Sequence, residues 1–155
     1  IVMTAVIQRV KKASVLADGE PSGAIGQGLY ILLGISRNDN ENDALLLAEK
    51  ISKLRIFSDE NGKMNLSVND IDGEVLVVSN FTLCANYSHG NRPDYFNAEL
   101  PERANQLYMT FINFMRERVR FVASGKFGAD MISDIVTDGP VTIVMQSDVL
   151  KGGKR

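Results

Sequence analysis

Apolar and polar positions alternate in short stretches along the first third of the chain. Residues 3–10, MTAVIQRV, carry β-branched residues at strand spacing, and Ala13 to Ala17 repeats the pattern, so two strands are predicted there. Asp18-Gly19-Glu20 is a hairpin turn signal, with Ser22 to Ile25 as the returning strand. Gly26-Gln27-Gly28 punctuates the pattern. Leu29 to Ile35, LYILLGI, is then apolar without interruption, which predicts a strand covered on both faces. The period changes after Arg37. Ala44, Leu47, Ala48, Ile51 and Leu54 fall at helical spacing, with Asp39 or Asn40 as the N-cap. Arg55 to Ser58 and Met64 to Val68 read as short extended segments around an Asp59-Glu60-Asn61-Gly62 turn. Asp70-Ile71-Asp72-Gly73 turns again into a strand from Val75 to Phe81.

Asn86 to Asn97 holds Gly90, Pro93 and many polar residues and reads as a loop. Pro101 opens the clearest helix, whose stripe is Ala104, Leu107, Tyr108, Phe111, Ile112, Met115 and Val119. Arg116, Arg118 and Arg120 load its end with positive charge, which suits the helix dipole. Residues 124–130 read as a connection. Met131 to Val136 and Val141 to Gln146 read as strands on either side of an Asp138-Gly139-Pro140 turn. The pattern predicts one α+β domain over 1–146, with about seven strands in a mostly antiparallel or mixed sheet and two main helices. The tail 147–155, SDVLKGGKR, is expected to be flexible.

Composition narrows this picture only a little. The 155 residues are 45% hydrophobic and 23% charged, ordinary for one domain with one sizeable core. A formal net charge of −2 offers no overall basic field, so any RNA contact has to rest on a local patch, and DNA is not an expected partner. No run approaches the roughly 18 apolar residues of a membrane span. The opening IVMTAVIQRVKK places its charges after the apolar run, the reverse of a signal peptide. Cys84 alone forms no internal disulfide, and the expected compartment is the cytoplasm.

Several chemistries lack their residues. One histidine and one cysteine do not make a zinc site of the usual kind. Asp39 to Asp43 begins like a calcium loop, but Glu41 and Ala44 stand at its third and sixth positions, so a solvated helix start is the better reading. No glycine-rich phosphate loop is present. Neither a metal nor a cofactor is expected. Cys84 with His89 lacks a third orienting group, and Ser79 with His89 lacks the nucleophile elbow. Cys84 reads as a small apolar residue and His89 as loop surface.

Two stretches stand out. The apolar run Val75–Val78 leads directly into Ser79-Asn80-Phe81-Thr82. A sharp turn at a strand end frees backbone N–H groups, which can hold a developing oxyanion. The same hydroxyls can equally be simple strand-end caps. In Asp138-Gly139-Pro140-Val141-Thr142, a Gly-Pro between strands is ordinarily a trans turn. A cis bond there would aim both carbonyls one way and make a wall without side chains.

These stretches, with AVIQRVKKASV, GAIGQGLYILLGI, RIFSDENGKMNLSV, VLVVSNFTL, GNRPDY, GKFGADM and DGPVT in order along nearly the whole chain, resemble the D-aminoacyl-tRNA deacylase family. The resemblance implies that family's barrel-like fold. It also implies hydrolysis of the ester of D-aminoacyl-tRNA, and of glycyl-tRNA, at the 3′ acceptor end. The family motif S-Q-x-T is here Ser79, Asn80, Phe81 and Thr82, the implied catalytic floor. Backbone amides near Phe81 and Thr82 and the terminal adenosine's 2′-hydroxyl are the implied catalytic groups, with Thr82 as nucleophile the older alternative. The motif N-x-G-P-[VF]-T is here Thr137 to Thr142. Gly139 and Pro140, followed by Val141 and Thr142, are implied to reach across a homodimer and reject L-amino acids, with Arg9 bracing them. Asn80 departs from the usual Gln and Thr137 from the usual Asn. Lys11, Lys12, Arg92, Arg116, Arg118, Arg120 and Lys126 are candidate phosphate contacts. Rival readings are a non-catalytic RNA-end or ligand-binding module on the same fold, and a hydrolase of a different small ester or amide with Cys84 or Thr82 as nucleophile.

Overall fold

The computed structural model describes residues 2–152. The two strands expected at the start are one. Thr4–Ala17 forms a single 14-residue strand, β1, and the polar Lys11-Lys12 pair is absorbed by register shifts around Val10 rather than by a break. Asp18 and Gly19 take φ values of 50° and 82°, the left-handed pair that a tight hairpin requires, and β2, Glu20–Ile25, returns antiparallel. β3, Gly28–Gly34, lies along the first half of β1.

Helix α1, Glu41–Lys53, starts at Asn40, whose side chain forms a capping box with Asp43. Asp39, the other cap candidate, instead accepts from the Met3 and Ser36 backbone N–H groups at 3.0 and 2.6 Å. The short pair β4, Phe57–Ser58, and β5, Met64–Leu66, forms a separate small sheet. β6 spans Glu74–Ser79, and a 3₁₀ turn, Phe81–Cys84, follows where the strand was expected to continue to Phe81. Helix α2, Pro101–Arg116, has proline in its first turn. β7 is Val122–Ser124 and β8 is Met131–Gln146.

The sheet is mixed and nearly closed. Its order is β2-β1-β3-β6-β7, with β3, β6 and β7 parallel, and β8 antiparallel to β1 along the other edge of β1. Alternation sorts the strand residues between two cores. Leu29, Ile31, Leu33, Val75 and Val77 pack under α1 and α2 with Leu47, Phe111 and Met115. Tyr30, Leu76 and Val78 turn to the inside of the curved sheet, against Val10, Val15 and Ile25. That explains the unbroken apolar run in β3. Gly28 permits the β3–β6 approach, since a Cβ there would lie 1.7 Å from the Glu74 carbonyl oxygen.

Two further expectations change. The Asp138-Gly139-Pro140 segment is not a turn between two strands. Both halves of β8 pair with β1 in the same direction, Thr137 opposite Val10 and Thr142 opposite Gln8, so five steps on β8 face two on β1 and the middle arches outward. The tail is not frayed at its start: Ser147–Lys151 forms a short helix, α3. The Ser147 hydroxyl donates to Asp43 at 2.7 Å, and the Lys151 ammonium lies 2.8 Å from the same carboxylate. The rest of the expected tail, 153–155, lies outside the described residues. No helix among the described residues is long and apolar enough to cross a membrane.

Candidate active site

The end of β6 is built by a handover of hydrogen bonds. The Asn80 N–H donates to the Leu33 carbonyl at 2.9 Å, extending the ladder one step past the strand. Asn80 then caps the 3₁₀ turn. Its side-chain oxygen accepts from the Thr82 N–H at 3.2 Å and, more closely, from the Thr82 hydroxyl. Leu83 N–H returns to the Asn80 carbonyl and Ala85 N–H to that of Thr82. Among the described hydrogen bonds the Phe81 N–H has no partner. The Phe81 ring is 57% exposed and stands edge-on to Tyr95, with ring centroids 5.0 Å apart.

This turn borders a cavity of about 780 Å³ at the open end of the inner core. Ser79, Asn80, Phe81 and Thr82 all line it. Phe127 and Met131 also line it, as do Tyr30 and Ser133, whose hydroxyls are 2.6 Å apart. Burial pushes the Tyr30 phenol above its ordinary value, so it remains neutral. The carboxylate Glu99 reaches the rim, but its oxygens are committed to Leu100 N–H and to Arg103. Sequence reasoning gave no role to Tyr30, Ser133, Phe127 or Met131. Tyr30 looked like core, and β8 carried no sign that Met131 and Ser133 fold back over β6.

Gly139, Pro140, Val141, Thr142 and Arg9 do not line this cavity. The first four sit on the β8 arch, where Gly139 and Pro140 are exposed, the bond between them is cis, and Gly139 has φ +128°, whereas Arg9 lies on β1. Arg9 lies at the base of the arch. Its Nε donates to the Asp138 carbonyl at 3.1 Å and its Nη1 to the Ile56 carbonyl at 2.7 Å, so it ties the base of the arch to the β4 segment. Gln8 reaches Thr142 at 3.4 Å on the other side. Within one chain, then, the two unusual stretches remain apart. The arch belongs to a strand whose outer edge has no partner among the described residues and which exposes Ile132 and Val144.

The rival nucleophile pair does not form. Cys84 is 1% exposed, with its thiol directed at the Ile35 carbonyl, and burial raises its pKa above the usual thiol value. His89 is exposed in the 86–97 loop. Of the candidate phosphate contacts, Arg118 pairs with Glu49 and Glu117, and Arg120 with Asp72 and Glu74, so both are engaged within the chain. Lys11 and Lys12 are exposed beside the arch.

Comparison with known proteins bears on this geometry. The family model described as D-Tyr-tRNA(Tyr) deacylase matches residues 6–146. A relative named D-aminoacyl-tRNA deacylase from Dictyoglomus turgidum is 50% identical over 153 residues, covering 99% of this chain and 98% of its own. A solved structure named c-Myc DNA Unwinding Element Binding Protein superposes with a TM-score of 0.86 at 43% identity, covering 92% of this chain and 97% of its own. A second, a probable eukaryotic D-amino acid tRNA deacylase, has a TM-score of 0.77 at 16% identity over 94% of this chain and 99% of its own, a likeness of fold. The family match and the near-full-length identity agree with the order of elements, and the chain belongs to the D-Tyr-tRNA(Tyr) deacylase family.

Proposed function

We propose that this protein is a D-aminoacyl-tRNA deacylase, cleaving the ester between a D-amino acid and the 3′ end of tRNA, and that it clears glycyl-tRNA as well. The observation that carries the mechanism is the Phe81 N–H, which has no hydrogen-bond partner among the described residues, in a turn that lines a largely apolar cavity. The cavity walls, Phe127 and Met131, suit a flat terminal base. The ester carbonyl then lies at the 3₁₀ turn, and the Phe81 N–H donates to the oxygen as it gains charge. Water attacks the carbonyl carbon, the bond to the ribose oxygen breaks, and that oxygen takes the proton. The substrate's own 2′-hydroxyl positions the water. The Asn80 side chain, occupied in capping Thr82, takes no proton.

Selection requires the arch of a second copy. The protein acts as a homodimer, in which Gly139 and Pro140 of one subunit enter the cavity of the other. A wall of backbone carbonyls leaves no room for the side chain of an L-amino acid, whereas glycine passes. This reading is supported by the exposure of the arch, its absence from its own chain's cavity, and the open edge of β8. The site of action is the cytoplasm, where tRNA is charged.

The deciding experiment is release of amino acid from D-Tyr-tRNA and L-Tyr-tRNA by the purified protein, side by side. Rapid release from the D substrate alone is expected. No release from either by a folded dimer would favour a non-catalytic RNA-end module.

A further inference from the structure

The 86–97 loop has no role in the ester chemistry, yet it is firmly built. Asn86 and Asp94 exchange both backbone hydrogen bonds, at 2.8 and 2.9 Å. The Asn86 side chain accepts from the Ser88 N–H and hydroxyl, the Asp94 side chain accepts from the Phe96 N–H, and Arg37 donates to the Phe96 carbonyl. This ordered frame leaves two large rings in solvent, Tyr87 at 78% and Phe96 at 76% exposure. A recess of about 420 Å³, lined by Tyr87, Ser88 and Asn97, lies between the loop's two branches. Holding aromatic rings in water on a hydrogen-bonded frame confers no stability on the chain itself.

The surface is continuous with the cavity, because Arg37, Phe81 and Tyr95 line the cavity rim and Tyr95 adjoins Phe96. Its charge is also sorted. Asp94 and Glu99 have carboxylate oxygens committed to the Phe96 and Leu100 N–H groups, whereas Arg37 and Arg92 form no ion pair among the described residues. Exposed rings beside unpaired guanidinium groups are the equipment of single-stranded nucleic-acid binding, where bases stack and phosphates meet cations.

We infer that Tyr87 and Phe96 form a stacking platform for the unpaired nucleotides that precede the terminal one, with Arg37 and Arg92 against their phosphates. The inference rests on the deacylase reading and adds the part of the substrate that reading leaves unplaced. It makes the loop an affinity device, acting on tRNA and not on the ester.

The test compares D-Tyr-tRNA with 3′-O-D-tyrosyl-adenosine, an ester that lacks the preceding nucleotides, using wild type and Tyr87→Ser/Phe96→Ser. The double variant is expected to raise KM for D-Tyr-tRNA about tenfold or more while kcat is kept. Cleavage of the adenosine ester should be unchanged. Equal losses on both substrates, or no loss on either, would overturn the platform. A wild type that cleaves neither ester sinks the deacylase reading, and the platform falls with it. Dissociation of the double variant in gel filtration would assign the surface to a second copy of the chain instead. Should the double variant melt early, Tyr87→Ser alone carries the same comparison.

Discussion

The Asn80 side-chain oxygen holds both the backbone N–H and the hydroxyl of Thr82, so one amide ties up two donors at the mouth of the cavity. The donor left over is the Phe81 N–H. Its contribution can be isolated, because Phe81 opens the 3₁₀ turn and proline is tolerated at a first helical position whose N–H has no partner. Phe81→Pro and Phe81→Ala both lose the ring, but only Phe81→Pro loses the donor. We expect Phe81→Pro to fall about 10²–10³-fold below Phe81→Ala in single-turnover deacylation. Equal rates would remove the backbone amide from the mechanism.

The arch makes a separate prediction. A Cβ on Gly139 would lie 2.9 Å from the Val141 nitrogen and 3.2 Å from the Arg9 Nη2, at a φ that L-residues rarely adopt. Gly139→Ala therefore has to displace the carbonyls of the arch, a change on the order of 1–3 kcal/mol. The ratio of D-Tyr-tRNA to L-Tyr-tRNA cleavage should drop by about 5- to 150-fold by that arithmetic, and the melting temperature by no more than about 12 °C. Arg9→Lys should move the ratio in the same direction, because an ammonium cannot reproduce the fork that serves Asp138 and Ile56 together.

Side-chain nucleophiles are expected to be dispensable. The Thr82 hydroxyl donates to an amide oxygen, which is no base, and the Cys84 thiol is buried with a raised pKa. Thr82→Val should keep deacylation within about tenfold of wild type, whereas loss of a true nucleophile costs on the order of 10⁶ in kcat. Iodoacetamide at neutral pH should leave the rate unchanged. Inactivation that wild type shows and Cys84→Ala escapes would revive the thiol.

Stability should depend on pH through Asp39. Burial, with the neighbouring Asp43 carboxylate, raises its carboxyl from 3.8 to about 6, against the Ser36 and Met3 N–H groups and Lys151, which act the other way. The folded chain thus holds a proton that the unfolded chain has released, and stability declines as pH rises across that interval, by at most about 3 kcal/mol. Asp43 runs opposite. Its own burial pushes its carboxyl up, but Lys151, Ser147 and the Asn40 N–H outweigh this and hold it low, so its contribution is lost only in stronger acid. Urea midpoints between pH 4.5 and 7 should fall in wild type and stay level in Asp39→Asn. A level wild type would remove the effect.

The chain itself disclosed the elements with strong periodicity and the two stretches that carry chemistry. The stripe from Ala104 to Met115 is buried as read, and Pro101 opens its helix. What stayed hidden was non-local. Nothing about Lys11-Lys12 announced that β1 continues through them, because the partner that absorbs the shift, β8, lies more than a hundred residues away. The Asp138-Gly139-Pro140 segment has turn chemistry, yet both its flanks pair with one strand, and only the ladder reveals that. The tail looked frayed because its anchor, Asp43, lies on another element. Tyr30 and Ser133 meet only once the sheet has curled.

β8 carries Ser133, which lines the cavity, and Gly139 six residues later on the arch. In a symmetric pair the strand is therefore a shared beam. On the homodimer reading proposed above, one end lines the pocket of its own chain and the middle forms the gate of the neighbour's. Such a pair has no independent sites for a heterodimer experiment to separate cleanly. On that reading a damaged β8 in one subunit would harm both its own pocket and its neighbour's, so a single defective copy would poison both.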